Sequence, residues 1–579
     1  MARKFKLIPY VLCMAMLLSI LSACSGPTPV ATTVATTTKS AATTQGTTAA
    51  GTTAATTAGS KTEPGLEPYK TTVDVTTWRV LSSAVKYMPG DTIDSNVWYK
   101  SYKDKLNINL TNTWAVVNAG AGGAGDQKRN LAIATGDLPD IMIVDSVQFK
   151  QLADAGQIED LTDAYNNYAS TDIKEKCYNS KLTDALLSTT LKGRIMGIAY
   201  TNPTEQTFFQ VWLRTDWLKK LNLAEPKSYA DLIKIAQAFR DNDPDGNGVK
   251  DTYGFAMHSG LITGSFADMT GFFEMFHSYP NLWVRDSGNK LVNGSVQPAT
   301  KTALAELQRL MKLGVLDPEF GVKKSADITR DITAGKFGIV SGVWYISQSG
   351  YLQENINADP KADWKPFMLF SADDKPVTYY GASPVVSTMY YVVRKGFKNP
   401  EALIKMANLY VDNRFGAVNG DPDTYYYTKD GIDVSQYAAV AIMPVRKNVD
   451  IYAGLKKYAV SNNINDVNKE GQTYLTQINA YRAGDRKFWY RERSFGIDGS
   501  YINNANILDN NLYMRWQFYG SPVNTEAKKG AILNDLTIQT FTKIINGASI
   551  DTFDTYVKDW LNLGGTDWTN EIQNWDATK

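Results

Sequence analysis

The strongest constraint on how this chain can fold is an alternation, from about Tyr69 onward, of short apolar runs with amphipathic helical patterns. Ile141-Met142-Ile143-Val144 has the composition of a buried strand, and Ser146 to Ala155 after it reads as a helix. Ser228 to Arg240 is the clearest helix: Ser228 and Asp231 have capping-box spacing, and Tyr229, Leu232, Ile233, Ala236 and Phe239 share one face. Leu304, Leu307, Leu310 and Met311 repeat that period, and Gly314 supplies a stop. Phe337 to Val340 and Met389 to Val393 read as strands. Asn399-Pro400 then opens a helix bearing Leu403, Met406, Leu409 and Tyr410. Strands alternating with helices predict α/β lobes with largely parallel sheets. No repeat of fixed period is present.

The N-terminus is built differently. Arg3, Lys4 and Lys6 precede an apolar stretch from Leu7 to Leu21, too short for the ~20 residues that span a bilayer. Leu21-Ser22-Ala23-Cys24 follows, which resembles a bacterial lipobox, so residues 1–23 are expected to be a signal peptide and Cys24 a lipidated new N-terminus. Residues 28–62 hold 15 Thr and 9 Ala with almost no large apolar side chain. Such a segment cannot bury enough surface to offset chain entropy. Residues 24–68 therefore read as a disordered tether, in which the 28–62 stretch alone reaches roughly 30–35 Å at about 5–6 Å × √n.

Composition removes several functions. With 60 Lys and Arg against 59 Asp and Glu, there is no basic excess of the kind nucleic-acid binders carry. Only His258 and His277 are available for zinc or Ser/His/Asp chemistry, and no nucleophile elbow, phosphate loop or dinucleotide fingerprint occurs. Of the three cysteines, Cys13 would leave with the signal and Cys24 would carry lipid. Cys177 would then be a lone, partly buried apolar residue, and the protein has no disulfide framework.

One loop carries recognisable metal chemistry. In Asp243-Pro-Asp245-Gly-Asn247-Gly248-Val249-Lys-Asp251, oxygens at positions 1, 3 and 5 can converge on one hard cation; Gly248 permits the turn and Val249 offers its carbonyl. Position 12, usually a bidentate Glu, is Gly254. The loop 243–254 is therefore expected to hold a structural Ca²⁺ through Asp243, Asp245, Asn247, Val249 and Asp251. The competing reading is a polar turn with no metal, since Asp, Asn and Gly favour turns in any case.

With these motifs in order, the chain resembles the family-1 extracellular solute-binding lipoproteins of ABC importers, in particular the large oligosaccharide-type subgroup of Gram-positive bacteria. Ala134-Thr-Gly136-Asp137-Leu-Pro139-Asp140-Ile141 is similar to that family's turn into a strand, and Trp212-Leu-Arg214-Thr-Asp216-Trp217-Leu218 to its “R.DWL” helix. Trp283-Val-Arg-Asp-Ser-Gly288-Asn-Lys290, Leu313 to Phe320 and Gly335 to Ile339 also fit. The Asp243 loop resembles the calcium site of alginate-binding members, which carry an acid where Thr252 stands here.

The resemblance implies a type II, periplasmic-binding-protein-like fold: two α/β lobes joined by a hinge, with the ligand between them. By analogy lobe 1 comprises residues 69–200 plus 376–440, and lobe 2 residues 201–375 plus 441–579. It also implies a monomer, anchored by lipid on the outer face of the cytoplasmic membrane, that binds a carbohydrate and delivers it to permease subunits. No catalytic residue is implied.

A sugar offers an apolar C–H face and a rim of hydroxyls, so its site needs aromatic platforms and a few fixed polar groups. Trp344 is the first candidate, because Gly338-Ile-Val-Ser-Gly342-Val-Trp344 is similar to the maltose-binding segment whose Trp stacks on sugar. Asp145 and Ser146 follow a strand's C-terminal end, where α/β folds bind ligands. Trp78, at the end of the first expected strand, and Tyr379 and Tyr380, near the expected crossing, complete the set. The rival classes are a glycoside hydrolase, which would need two suitably spaced carboxylates, and a surface adhesin, which would show repeats or β-sandwich spacing.

Overall fold

The computed structural model describes residues 65–579, apart from 119–122, 204–206, 349, 382–388, 417–419 and 429–430. The expected signal peptide, Cys24 and nearly all of the tether lie outside the described residues. Among the described residues no helix is long and apolar enough to cross a membrane.

Nine strands form two main sheets: β1 Val73–Ser82, β2 Ile108–Asn118, β3 Ile141–Asp145, β4 Ile198–Ala199, β5 Gln210–Arg214, β6 Tyr253–Ala256, β7 Phe337–Gly342, β8 Trp364–Phe367 and β9 Met389–Val393. The first sheet has the order β2-β1-β3-β9-β4. β1 runs parallel to β2 and β3, whereas β9, arriving from a distant part of the chain, is antiparallel to both β3 and β4. The second sheet has the order β8-β5-β7-β6. Here only β6 and β7 are parallel; β5 is antiparallel to both β7 and β8. The expectation of largely parallel sheets is corrected for this lobe. A continuous apolar run reports burial on both faces, not strand direction.

Each sheet organises its own core. The first packs Val75, Trp78, Ile141 and Val144 with Tyr391 and the helix Ala402–Phe415. The second joins Trp212, Phe239, Leu304, Phe337 and Trp364 to C-terminal residues such as Phe541. In the helix Tyr229–Asp241, Ser228 Oγ accepts from Asp231 N at 3.2 Å, while Leu232, Ile233, Ala236 and Phe239 are buried. A third, smaller core gathers Trp344 with Val449, Tyr452, Tyr474, Phe495 and Tyr501. Its helices are α1 Lys447–Ser461, α2 Lys469–Arg482, α3 Trp489–Phe495 and α4 Ser500–Asp509.

The return to the first lobe comes later than residue 376. Val377 and Tyr379 pack in the second core, and Tyr379–Tyr380 pairs with Tyr513–Met514; the first core resumes at β9. Two other connecting segments are bonded to each other: Thr201 Oγ1 donates to the Met443 carbonyl at 2.8 Å and accepts from Met443 N at 3.1 Å.

Candidate functional site

A cleft of about 730 Å³ opens where the cores meet. Asn202 and Met443, from the paired connecting segments, contribute to its lining. From the first lobe come Arg414, at the end of the helix Ala402–Phe415, and the loop residues Tyr426 and Tyr427. The third core supplies Trp344, and its helices present Lys447, Glu470, Tyr474, Tyr490 and Arg491. The site thus combines flat aromatic faces with several fixed polar heads.

Trp344 follows the end of β7, on a short 3₁₀ turn, and packs against Tyr501 with ring centroids 5.1 Å apart. It is 9% exposed, and its Nε1 has no partner among the described residues. Tyr427 is 47% exposed and lies edge-on to Tyr426 at 4.6 Å, leaving a free ring in the cleft. Lys447 Nζ donates to Glu470 Oε1 at 2.6 Å, and the Tyr474 hydroxyl donates to the same oxygen at 2.5 Å. Burial opposes the Glu470 charge, but Lys447 and Arg414 hold the carboxyl below the usual glutamate range, so it stays ionised.

A second cavity of about 230 Å³ also lies between the lobes. It takes Ser146 and Tyr390 from the first lobe and Trp283, Tyr380 and Trp516 from the second. Ser146 and Tyr380 are therefore brought together, away from Trp344. Asp145 caps the helix Ser146–Asp154, its side chain accepting from Gln148 N at 2.8 Å. Trp78 is fully buried; its Nε1 donates to the Ile143 carbonyl at 3.1 Å, and its ring stacks on Trp114 at 5.2 Å. Because β1 continues four residues beyond it, Trp78 sits inside the strand rather than at its mouth. Tyr379 is likewise enclosed, its hydroxyl accepting from Leu369 N at 2.8 Å. Neither Trp78 nor Tyr379 offers a face to ligand in this structure.

Sequence reasoning missed Arg414, Tyr426, Tyr427, Lys447, Tyr474, Tyr490 and Arg491. The run Tyr425-Tyr426-Tyr427 in a Gly- and Asp-rich setting is the one signal that could have marked part of this wall.

The acidic loop lies on the second lobe between the helix Tyr229–Asp241 and β6. Asp243 Oδ1 accepts from Gly246 N and Asn247 N at 3.0 and 3.1 Å, and its Oδ2 accepts from Gly248 N at 3.0 Å. Asn247 Nδ2 donates to Asp245 Oδ2 at 2.8 Å and Asp251 Oδ1 at 3.1 Å, drawing those carboxylates together, while Asp245 Oδ1 is buried without a partner. Burial, and then the neighbouring Asp243, push Asp245 above the usual aspartate range; its hydrogen bond with Asp245 and the loop amides hold Asp243 below it. The donor set fits a hard cation. Among the described residues, however, no three His, Cys, Asp or Glu side chains are gathered into a formed metal cage.

Two α/β lobes joined by connecting segments around a lined cleft define the two-lobed, type II binding-protein fold. The solved alginate-binding protein AlgQ2, in a form without calcium ion, shares it: TM-score 0.53 at 15% identity, covering 88% of this chain and 99% of that one. Residues 72–414 match the bacterial extracellular solute-binding protein family, and the chain belongs to that family. Among curated relatives, the polygalacturonan/rhamnogalacturonan-binding protein YtcQ of Bacillus subtilis is 27% identical over 236 residues, covering 40% of this chain and 45% of the relative. Lipoprotein LipO of the same organism is 28% identical over 222 residues, 37% and 41% of the two chains. The chain thus spans about half the length of the curated relatives it matches.

Proposed function

We propose that the protein is an extracellular, lipid-anchored receptor that captures an oligosaccharide in the 730 Å³ cleft and delivers it to the permease of an ABC importer. The observation that carries this reading is the cleft wall itself. Trp344, Tyr427 and Tyr490 offer ring surface, and Gln348, Asn448 and Gln477 offer fixed polar groups, a combination suited to a polyhydroxylated ligand. Closure of the lobes about the Thr201–Met443 contact would bring the walls together. The family and the resemblance to sugar-binding relatives support the same conclusion.

The protein acts by binding, not by catalysis. A glycoside hydrolase needs one carboxyl able to give a proton beside a second carboxylate, and Glu470, the buried acid of the cleft, is held ionised by Lys447 and Tyr474. Calorimetry of the soluble chain against an oligosaccharide panel tests the proposal, with the recovered sugar analysed by mass. Intact recovery after saturable binding is expected; cleavage at stoichiometric protein would refute it.

Two further assignments belong to this reading. Cys24 carries the lipid, as the Leu21-Ser22-Ala23-Cys24 sequence and the relationship to LipO support. The Asp243 loop holds a structural Ca²⁺ through Asp243, Asp245, Asn247, Asp251 and the Val249 carbonyl, supported by its donor chemistry and the unpartnered Asp245 oxygen.

A further inference from the structure

We propose that the oligosaccharide is acidic, built from uronic-acid units, and that Arg414, with Lys447 and Arg491, forms a carboxylate-binding subsite of the cleft. This rests on the oligosaccharide reading above and narrows it to a charge class.

The argument starts from Arg414. It is 3% exposed and lines the cleft. Its Nη1 donates to the Tyr410 hydroxyl at 2.6 Å, its Cζ lies 3.8 Å from the centre of the Tyr426 ring, and its Nε is buried with no partner among the described residues. No described carboxylate approaches it within ion-pair distance. A guanidinium carries five N–H donors and cannot lose its proton in a protein. Glu470 acts on Arg414 only at longer range, while bonded to Lys447 and Tyr474; burying a cation with no ion-pair partner of its own is unfavourable, as is removing either member of a buried pair. The ring beneath it fixes its plane, which prepares its edge for a planar, two-oxygen acceptor.

The other charges of the cleft point the same way. Arg491 lies 3.7 Å from the centre of the Tyr474 ring, and its Nε donates to the neutral amide of Gln477 at 2.8 Å rather than to an acid. Lys447 alone has a carboxylate, Glu470. Among the described residues of the lining, three cations therefore face one buried acid; Asp423, the other described acid there, is exposed. A neutral sugar would supply hydroxyl acceptors but leave this positive excess uncompensated. A uronate keeps the C–H face that stacks on the tyrosines and adds one carboxylate per unit.

The test uses the mature chain and three probes: tri-galacturonate, its methyl ester, which keeps the backbone but removes the charge, and a neutral trisaccharide. Isothermal titration should show the acid binding at least ~10-fold tighter than its ester, as expected of a charge-assisted bidentate contact, with affinity falling as salt rises. Arg414→Gln should narrow the acid-to-ester ratio. Because Arg414 is buried, Arg491→Gln, at a half-buried position, provides the same readout in a fold less at risk. Ester and acid binding equally, or the neutral sugar binding while the acid does not, would overturn the acidic class and leave the oligosaccharide reading standing. A sulfated trisaccharide outcompeting the uronate would also overturn the carboxylate assignment. Binding of none of the saccharides would overturn both.

Discussion

Trp344 separates ligand recognition from packing in one side chain. Its ring is wedged against Tyr501, Tyr345 and Phe495, with centroids 5.1, 5.7 and 6.1 Å away, while its Nε1 has no partner among the described residues. Truncation to Ala should cost the fold about 3–5 kcal/mol, the usual range for emptying a buried aromatic site. Trp344→Phe is a different perturbation. It keeps one ring of contact and removes the rest of the indole with a donor that has no partner among the described residues, so stability should fall by about 1–2 kcal/mol, well short of the Ala variant. If that donor serves a sugar hydroxyl, affinity should fall by about 0.5–1.5 kcal/mol, or roughly 2–12-fold. Urea unfolding measures the first quantity and calorimetry with the preferred oligosaccharide the second. A Phe variant that binds as tightly as the parent would refute the assignment of Nε1 to ligand. One as unstable as the Ala variant would refute the claim that the indole nitrogen is structurally idle.

Two other predictions concern stability. EDTA should lower the melting temperature, because an ion bound only to the native state stabilises it by about 2.7 kcal/mol at 100 times its Kd; Asp245→Asn should shrink that effect, and unchanged melting with no calcium in elemental analysis would remove the site. Asp268 is fully enclosed, and burial lifts its pKa to about 7 against hydrogen bonds from the Thr270 and Gly264 amides, both at 2.7 Å. The native state then holds a proton that the unfolded chain has lost, so this group's contribution to stability falls as pH rises from about 4 to about 7 and levels off above that. Buried Glu274 is shifted in the same direction, so the slope is read as a difference: Asp268→Asn should flatten the urea midpoint over pH 4–8, and an unchanged slope would contradict the assignment.

The two-lobed architecture was legible because its signals are local. An apolar run such as Ile141 to Val144 and a capped amphipathic helix such as Tyr229–Asp241 each require only neighbouring residues. Trp344, which lines the cleft, was singled out by the resemblance of Gly338 to Trp344 to a maltose-binding segment, not by local physics. The rest of the cleft was not. Arg414 closes a helix, where a basic side chain complements the dipole on any protein, and Arg491 and Lys447 sit among other charges on helices. Only the packing of helices distant in sequence turns those ordinary positions into one wall. Trp78 and Tyr379 show the converse. Both are aromatic and near expected strand ends, but four more residues of β1 enclose the first, and alternation along Tyr379–Tyr380 turns the second inward while Tyr380 reaches the smaller cavity.

The burial of Cys177 has a practical consequence for watching the cleft move. Its side chain is fully enclosed in the first core, and desolvation pushes the thiol pKa well above its usual range, so it offers neither access nor thiolate to an alkylating dye. In a chain that begins after Cys24, a cysteine placed at Thr428 and another at Thr473, both lining the cleft, would be the two reactive sulfhydryls. A donor–acceptor fluorophore pair attached there would report the separation of the rims molecule by molecule. No native cysteine would first have to be engineered away.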